Sequence, residues 1–202
     1  MKIFCVGRNY GEHAKELGNA VPENPVIFSK PDTALIKEGG PFYLPDFSTD
    51  VHHEVELVIK ISKNGKNIQE KFASTYYNEI GLGIDFTARD LQTKLKEKGL
   101  PWELAKGFDG SAPLGKFKNV HELDLANTLF SLKKNDVIVQ EGNSKDMIFD
   151  FNKIISFIST YFTLKTGDLI YTGTPAGVSK VTVGDKLEGF IGNELMLSCE
   201  VK

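Results

Sequence analysis

The chain has 202 residues, of which 41% are hydrophobic, and its 24 basic and 27 acidic side chains give a formal net charge of −3. This length is enough for one well-formed core and favours a single domain over two. Nothing in this charge balance suggests the basic surface that nucleic-acid binding needs. No apolar run is long enough to cross a bilayer.

The first half of the chain is predicted to contain short strands and two helices. A helix over residues 11–18 would end at Gly18, and an amphipathic helix over 88–99 would end at Gly99, because glycine readily closes a helix. Residues 71–79 are predicted to form a helix or an irregular link. The predicted strands cover residues 3–6, 26–31, 53–61 and 80–86.

The second half begins with residues 101–115, which we expect to be irregular because glycine and proline punctuate them. Residues 128–142 read as a hairpin that turns at Lys134, Asn135 and Asp136. A long helix is predicted over 144–164, where apolar residues such as Ile154, Ile158 and Phe162 recur at helical spacing. Strands and turns fill residues 167–202. The sum is one β-rich α+β domain with few helices.

The two cysteines, Cys5 and Cys199, each lie in a short apolar run. We expect both to be buried free thiols, with a Cys5–Cys199 disulfide as the less favoured alternative. Free thiols are typical of a reducing compartment, so the sequence predicts a cytoplasmic protein.

The predicted strand over 53–61 carries unusual polarity. Glu54 and Glu56 are two residues apart, so their side chains should share one face, while Val55, Leu57 and Ile59 point to the core. Parallel carboxylates repel each other, and a cation between them is one solution. A solvated strand face is the alternative, and by spacing alone it is the commoner case. Of the neighbouring His52 and His53, at most one can join the glutamates, since adjacent side chains on a strand alternate.

A third carboxylate, Asp85, follows the predicted strand over 80–86 and stands where that strand ends. It could complete an oxygen-ligand set for Mg²⁺ or Mn²⁺ with the two glutamates. It could also cap the helix that follows, a role for which Thr87 competes.

A possible acid–base pair lies near the N-terminus. His13 and Glu16 are three residues apart on the predicted helix, so they are neighbours on its surface. The carboxylate could orient the imidazole as a general base, or the two could form an ordinary exposed pair. Lys106, in an otherwise apolar segment, could stabilise an enolate or hold a substrate carboxylate, or it could be a surface lysine.

Taken together, these segments resemble the fumarylacetoacetate hydrolase family, and most closely its short branch of acylpyruvate hydrolases and oxaloacetate decarboxylases. The resemblance covers nearly the whole chain. The matching stretches are GRNYGEHAKELG (7–18), FSKP (28–31), VHHEVELVIKI (51–61), GIDFTARDLQ (83–92), KGLPWELAKGFDGSAPLG (98–115), LIYTGTPAGV (169–178) and VGDKLEGFIG (183–192).

The resemblance implies a β-rich, mixed-sheet roll that spans residues 1–202 as one catalytic domain and forms a homodimer. It implies that Mg²⁺, with Mn²⁺ as an alternative, binds Glu54, Glu56 and Asp85. His13 and Glu16 would activate water from a short lid helix, with Lys106 as the third catalytic residue. The positions that match substrate-binding motifs are Gln92, Thr174, Arg8 and Arg89, the two arginines without a specific role.

The function implied by the resemblance is metal-dependent cleavage of a C–C bond in a small 2-oxo or 2,4-dioxo acid. One alternative is an isomerase or tautomerase of 2-hydroxydienoate or 2-oxo acids, similar to 2-hydroxyhepta-2,4-diene-1,7-dioate isomerase. Another is a binding module that keeps the metal site without turnover. Ser29 and Gly107 depart from the family pattern near the expected pocket, which leaves the substrate preference open.

Overall fold

The computed structural model describes residues 1–16, 21–37 and 39–202. The described chain is rich in strands and has few helices. Its strands are β1 (Ile3–Gly7), β2 (Val26–Lys30), β3 (Leu35–Ile36), β4 (Val51–His53), β5 (Val55–Ile61), β6 (Tyr77–Ile84), β7 (Thr87–Ala88), β8 (Ala112–Asn119), β9 (Leu129–Lys134), β10 (Val137–Asn143), β11 (Leu169–Tyr171), β12 (Ser179–Lys180), β13 (Lys186–Ile191) and β14 (Glu194–Glu200). Its α-helices are α1 (Gly11–Glu16), α2 (Arg89–Glu97), α3 (Glu103–Lys106) and α4 (Phe151–Tyr161).

The strands form three sheets, and the largest of them is mixed. It has seven strands in the order β2-β1-β11-β5-β6-β8-β3. Strand β1 runs parallel to β11, and β3 runs parallel to β8, whereas the other neighbours are antiparallel. The two smaller sheets have the orders β10-β9-β13-β14 and β12-β4-β7. This arrangement confirms the predicted α+β class with a mixed sheet and few helices.

Strand β5 lies at the centre of the large sheet, between β11 and β6, and apolar side chains cover both of its faces. Leu57 and Ile59 pack into the larger of two hydrophobic clusters, as the alternation of the sequence predicts. On the opposite face, Val58 packs into the smaller cluster beside Tyr171. The face that carries Glu54 and Glu56 is therefore buried, which contradicts the alternative of a solvated strand face.

The turn chemistry of the sequence is borne out in two places. Asn135 and Asp136 have positive φ values of 52° and 67°, as a tight two-residue hairpin requires, and they join β9 to β10. Gly99 has a φ of 62° just after α2. The predicted end of the first helix, Gly18, lies outside the described residues.

The predicted long helix over 144–164 is wrong in its length. Helix α4 begins only at Phe151, because the side chain of Asp150 accepts a hydrogen bond from the Lys153 amide at 2.8 Å and caps it. Residues Ser144–Asp146 form a separate 3-10 turn. Phe162, one of the apolar positions of the predicted helix, follows the end of α4 and is 46% exposed.

The segment over 101–115 is more regular than predicted, since it contains α3 and the start of β8. Both cysteines are buried free thiols, as predicted. No helix in the described part of the chain is long and apolar enough to cross a membrane.

Candidate active site

Three carboxylates meet at one end of the central strands. Glu54, Glu56 and Asp85 are 4%, 2% and 1% exposed. Each offers a carboxylate oxygen, and these oxygens all lie within 4.8 Å of one another. Such a cluster is costly in a protein interior unless cations compensate it.

The register of two strands explains why these carboxylates converge. Strand β5 pairs with β6 so that Val55 lies opposite Ile84. Asp85, which follows β6, therefore falls beside Glu54, and its amide donates to the Glu54 carbonyl at 2.8 Å. Asp85 does not cap a helix, and Thr87 does not cap α2 either, because no side chain caps its N-terminus.

Lys106 places a buried ammonium directly on two of the carboxylates. Its Nζ donates to Glu54 Oε2 at 2.8 Å, to Asp85 Oδ2 at 2.7 Å and to Thr87 Oγ1 at 2.6 Å. The side chain is buried at the end of α3, so the surface-lysine alternative is wrong.

Arg89, the first residue of α2, contacts the other side of the same glutamate. Its Nη2 lies 2.5 Å from Glu54 Oε1, and its Nη1 donates to Gln92 Oε1 at 2.7 Å. Its Nε is buried and has no hydrogen-bond partner among the described residues.

A second buried lysine, Lys30, was not predicted to belong to the site. Its Nζ lies 2.8 Å from Asp85 Oδ1, and it donates to Ser111 Oγ at 3.0 Å and to the Lys106 carbonyl. The sequence held one signal for it, since Lys30 is the lysine of the FSKP stretch at the end of β2.

The electrostatics differ sharply between the two glutamates. Burial opposes ionisation of Glu54, but Lys106 and Arg89 outweigh it and hold the pKa of this carboxyl below its usual range. Burial, Asp85 and Glu54 all raise the pKa of Glu56, and the Gly173 amide, which donates to Glu56 Oε2 at 2.7 Å, offsets this only in part. Glu56 is therefore the carboxylate that a further cation would relieve most.

The donor set fits a hard divalent cation. Three carboxylates with no histidine or cysteine among them suit Mg²⁺ or Mn²⁺ better than zinc or copper. Lys30, Arg89 and Lys106 contact Asp85 and Glu54, whereas the contact that Glu56 makes is with the neutral Gly173 amide.

The His13–Glu16 pair on α1 lies at the same cavity as the carboxylates. His13 Nδ1 and Glu16 Oε2 are 3.0 Å apart, and His13 is only 5% exposed. The Gly177 amide donates to Glu16 Oε1 at 3.1 Å and so ties α1 to the loop after β11. An ordinary exposed pair does not describe this geometry, because the imidazole is buried.

Thr174, in the same loop, also lines the cavity. Its hydroxyl donates to the Val55 carbonyl at 2.8 Å and accepts from Gln140 Nε2 at 2.9 Å. Gln140 in turn lies 2.8 Å from His53 Nδ1. Sequence reasoning missed Gln140, whose distant position on β10 carries no local signal.

His52 and His53 point to different partners, as their adjacency on a strand predicts. His53 is buried against Gln140, and burial lowers its pKa to about 4. His52 Nε2 lies 3.0 Å from Asp50 Oδ1. Neither joins the carboxylate cluster found among the described residues.

All ten residues predicted for the site surround one small cavity or contact its lining. Nine of them line it directly, and Glu16 reaches it through His13. The nine are Arg8, His13, Glu54, Glu56, Asp85, Arg89, Gln92, Lys106 and Thr174. Phe28, Lys96 and Trp102 complete part of its wall.

Comparison with known proteins places this site in a family context. The family model described as "Fumarylacetoacetate (FAA) hydrolase C-terminal" matches residues 2–197. "Oxaloacetate tautomerase FAHD1, mitochondrial" of Mus musculus is 42% identical over 201 residues, which cover 99% of this chain and 91% of that protein. "Oxaloacetate decarboxylase, mitochondrial" of Dictyostelium discoideum is 44% identical over 189 residues, or 93% and 87% of the two chains.

Among solved structures, the fumarylpyruvate hydrolase of Pseudomonas aeruginosa, in complex with Mn²⁺ and pyruvate, superposes with a TM-score of 0.93. It is 34% identical, and the match covers 100% of this chain and 89% of that one. The likeness extends over the whole chain in both sequence and structure.

Proposed function

This chain belongs to the fumarylacetoacetate hydrolase family, and we propose that it cleaves a C–C bond of 2-oxo acids with a divalent metal, as an acylpyruvate hydrolase or an oxaloacetate decarboxylase. The proposal rests mainly on one observation. The buried Glu54, Glu56 and Asp85 share a single cavity with the His13–Glu16 pair and with Lys106. Two relatives are named as an oxaloacetate decarboxylase and a fumarylpyruvate hydrolase, and these names support the proposal.

We assign Glu54, Glu56 and Asp85 as the residues that hold Mg²⁺, with Mn²⁺ as an alternative. The crowding of their carboxylates within 4.8 Å supports this assignment, and the Pseudomonas relative was solved with Mn²⁺. A divalent cation there would supply Lewis acidity toward the 2-oxo group and the neighbouring carboxylate of the substrate.

The side chains of the cavity then have distinct roles. His13, oriented by Glu16, takes a proton from the water that attacks the distal carbonyl of a 2,4-dioxo acid. The bond between C3 and C4 breaks, and its electron pair passes to the enolate of pyruvate. The ammonium of Lys106 stabilises that negative charge. Protonation at C3 yields pyruvate, and the distal fragment leaves as a carboxylic acid.

Three further side chains hold the substrate in this scheme. Gln92 and Arg89, which line the cavity, bind substrate oxygens, and Thr174 contacts the carboxylate end. When the substrate is oxaloacetate, the same electron pair is released as CO₂ departs. No water attack is needed in that case, so the demand on His13 is smaller.

Tautomerisation of oxaloacetate is a second candidate function, because the mouse relative bears that name. It needs a proton to leave C3 and another to reach the 2-oxygen, without any bond between carbons breaking. The buried imidazole of His13 beside Glu16 supports proton transfer of this kind as well.

We also propose that residues 1–202 act as one catalytic domain and that the protein works as a homodimer. The first part is supported by the site itself, which draws on residues from Arg8 to Thr174. The second part follows from the family alone, and cytoplasmic location stays a prediction from the two free thiols.

The deciding experiment is a turnover assay with acetylpyruvate and oxaloacetate. Loss of the enol absorbance and formation of pyruvate are followed in parallel, with Mg²⁺, with Mn²⁺ and with excess EDTA. Cleavage produces pyruvate from both substrates, whereas tautomerisation removes the enol band without pyruvate.

Matched variants test the metal assignment in the same assay. Glu54→Ala and Asp85→Ala should abolish metal-dependent turnover, while Glu79→Ala, which removes a more exposed glutamate of β6, should keep it. Full activity of Glu54→Ala or Asp85→Ala in excess EDTA would contradict the proposal.

A further inference from the structure

One loop carries two parts of the proposed catalytic machinery. Loop 172–178 follows β11 and contains no helix or strand. Thr174 lines the active-site cavity from this loop. The amide of Gly177 donates to Glu16 Oε1 at 3.1 Å, on the carboxylate that lies 3.0 Å from His13 Nδ1. Whatever holds this loop in place therefore also sets the position of a proposed substrate contact and of the proposed general base.

Strand β10 holds this loop through one buried side chain, Gln140, which is 2% exposed. Its Nε2 donates to Thr174 Oγ1 at 2.9 Å and to the Pro175 carbonyl at 3.0 Å. Its Oε1 accepts from the Val55 amide at 3.1 Å and lies 2.8 Å from His53 Nδ1. The side-chain amide of Gln140 thus joins the loop to the strands β4 and β5.

The partners of Gln140 fix the orientation of its side-chain amide. The Val55 amide can only donate a hydrogen bond and the Pro175 carbonyl can only accept one, so the oxygen faces the strand and the nitrogen faces the loop. Thr174 is fixed in turn, because its hydroxyl accepts from Gln140 and donates to the Val55 carbonyl at 2.8 Å. A buried network whose members are paired in this way holds one arrangement rigidly.

The backbone of the loop lies directly on β10, as two glycines show. Gly177 has a φ of 99°, which favours glycine, and a Cβ there would clash with the Val139 carbonyl oxygen. A Cβ at Gly142 of β10 would lie 2.9 Å from Pro175 Cγ, closer than van der Waals contact allows. The loop can take this position because both sites lack a side chain.

We propose that Gln140 is a positioning residue that clamps loop 172–178 between β10 and β5. Through the loop it sets Thr174 against the substrate and Glu16 against His13. Gln140 is not among the described residues that line the cavity, so it acts through the loop and not by contact with the substrate. The inference rests on the proposed function, because that function gives Thr174 and the His13–Glu16 pair their roles.

Two changes at Gln140 remove the clamp in different ways. Gln140→Leu removes all four hydrogen bonds, whereas Gln140→Glu keeps the acceptor oxygen and loses the two donors that hold the loop. Asn143→Leu is the matched control for both. Asn143 is a buried amide of the same strand, and its side chain bonds Asn127 and Lys145 instead of the loop.

Gly177→Ala displaces the loop without changing Gln140 itself. The added Cβ would clash with β10, so the loop should move and carry Thr174 and the contact to Glu16 with it. Gly184→Ala is the control for this variant. Gly184 also has a positive φ, 91°, but a Cβ there meets nothing within 4 Å, so the control adds backbone strain without a clash.

Steady-state kinetics give the first readout. The kcat for hydrolysis of acetylpyruvate should fall roughly ten- to a hundredfold in Gln140→Leu, Gln140→Glu and Gly177→Ala, because a displacement of about 1 Å can cost that much. Decarboxylation of oxaloacetate, which needs no activated water, should fall at least about threefold less. A merely structural role would lower stability in urea unfolding and leave the ratio of the two kcat values unchanged, as we expect for Asn143→Leu and Gly184→Ala.

Amide hydrogen exchange gives a second readout that needs no turnover. In the described part of the chain Gln140 forms no hydrogen bond with residues 11–16 of α1, so a change there is transmitted through the loop. Exchange in a peptide that covers residues 11–16 should be at least about threefold faster in Gln140→Leu than in the wild type, since local opening governs the rate. Asn143→Leu should match the wild type in this peptide.

The outcomes separate this inference from the proposed function. If both substrates are turned over but the Gln140 and Gly177 variants keep the wild-type ratio of kcat values and the wild-type exchange in residues 11–16, the inference is overturned while the function stands. If neither substrate is turned over but exchange in residues 11–16 rises in Gln140→Leu and not in Asn143→Leu, the positioning role stands and the reaction must be another. Gln140→Glu and Gly177→Ala keep the test intact if Gln140→Leu fails to fold.

Discussion

Lys106 Nζ lies 2.7 Å from Asp85 Oδ2, inside the cluster of carboxylates that we assign to a divalent metal. The same ammonium contacts Glu54 at 2.8 Å. Although burial alone would lower the pKa of Lys106, Asp85 and Glu54 raise it, so the side chain is fully charged at neutral pH. The cation that we propose as a catalytic residue is therefore coupled directly to the carboxylates that we propose as metal ligands.

This coupling predicts opposite effects of Lys106→Met on binding and on turnover. Two unit charges about 4 Å apart repel each other by about 4 kcal/mol at an effective dielectric constant of 20. Relief of only about a third of this energy would tighten Mn²⁺ binding roughly tenfold, so removal of the ammonium should tighten it by at least that factor. Turnover should fall by at least about a hundredfold, because the developing enolate loses its cation. Electron paramagnetic resonance measures the Mn²⁺ affinity, and exposed Lys98→Met serves as the control. Weaker Mn²⁺ binding in Lys106→Met would argue against the coupling.

The buried His13–Glu16 pair predicts a split between chemistry and ligand binding. His13→Ala should reduce hydrolysis of acetylpyruvate by about 10²- to 10⁴-fold, the usual contribution of a general base. Binding of oxalate, a mimic of the pyruvate enolate, should change little because it needs no water activation. Glu16→Gln should show a smaller loss of hydrolysis, and exposed His121→Ala should show none. Equal losses of hydrolysis and oxalate binding in His13→Ala would count against the assigned role.

The ion pair between Lys30 and Asp85 predicts a large loss of stability in Lys30→Met. Removing one partner of a buried pair costs about 3–5 kcal/mol, and the lower end, about 3 kcal/mol, is expected here because Lys106 still contacts Asp85 Oδ2. Lys60 offers a matched control, since its Nζ lies 2.7 Å from Glu79 Oε2 but both side chains are over one-third exposed. Lys60→Met should cost less than about 1 kcal/mol. The measurement is urea-induced unfolding in EDTA. Equal losses in the free energy of unfolding for the two variants would refute the claim that the buried pair of Lys30 stabilises the fold more than the exposed pair of Lys60.

Asp185 predicts a pH dependence of stability away from the active site. Partial burial opposes its ionisation, but hydrogen bonds from the Thr182 amide at 2.8 Å and from Asn135 Nδ2 at 2.7 Å lower the pKa of this carboxyl. A carboxyl whose pKa is lower in the folded state stabilises the fold above the unfolded pKa of about 4, and this contribution disappears as the pH falls through the folded pKa.

Asp185→Asn should therefore be less stable than the wild type at pH 7, and the difference should shrink toward pH 3. Urea unfolding of the variant and the wild type at both pH values measures this difference in free energy of unfolding. Asp109→Asn, which alters an exposed side chain, should show no such convergence. If the difference in free energy of unfolding between Asp185→Asn and the wild type is the same at pH 7 and pH 3, the ionised Asp185 carboxylate is not its cause.

The local predictions that succeeded all depend on neighbours in the chain. The alternation around Leu57 and Ile59 predicted which side of β5 meets the larger core. The turn residues Asn135 and Asp136 predicted the hairpin. The long helix over 144–164 failed because apolar spacing alone does not reveal where a cap such as Asp150 begins a helix.

The sequence by itself determined the main strands, the family resemblance and the residue types of the site, because short-range backbone geometry and motif order are written along the chain. Only the tertiary structure decided that Glu54 and Glu56 are buried and that Lys30 contacts Asp85 across 55 positions. It also decided that Gln140 supports Thr174. These contacts arise from strand pairing between distant segments, and the charge balance of the carboxylates depends on which cations that pairing brings within reach.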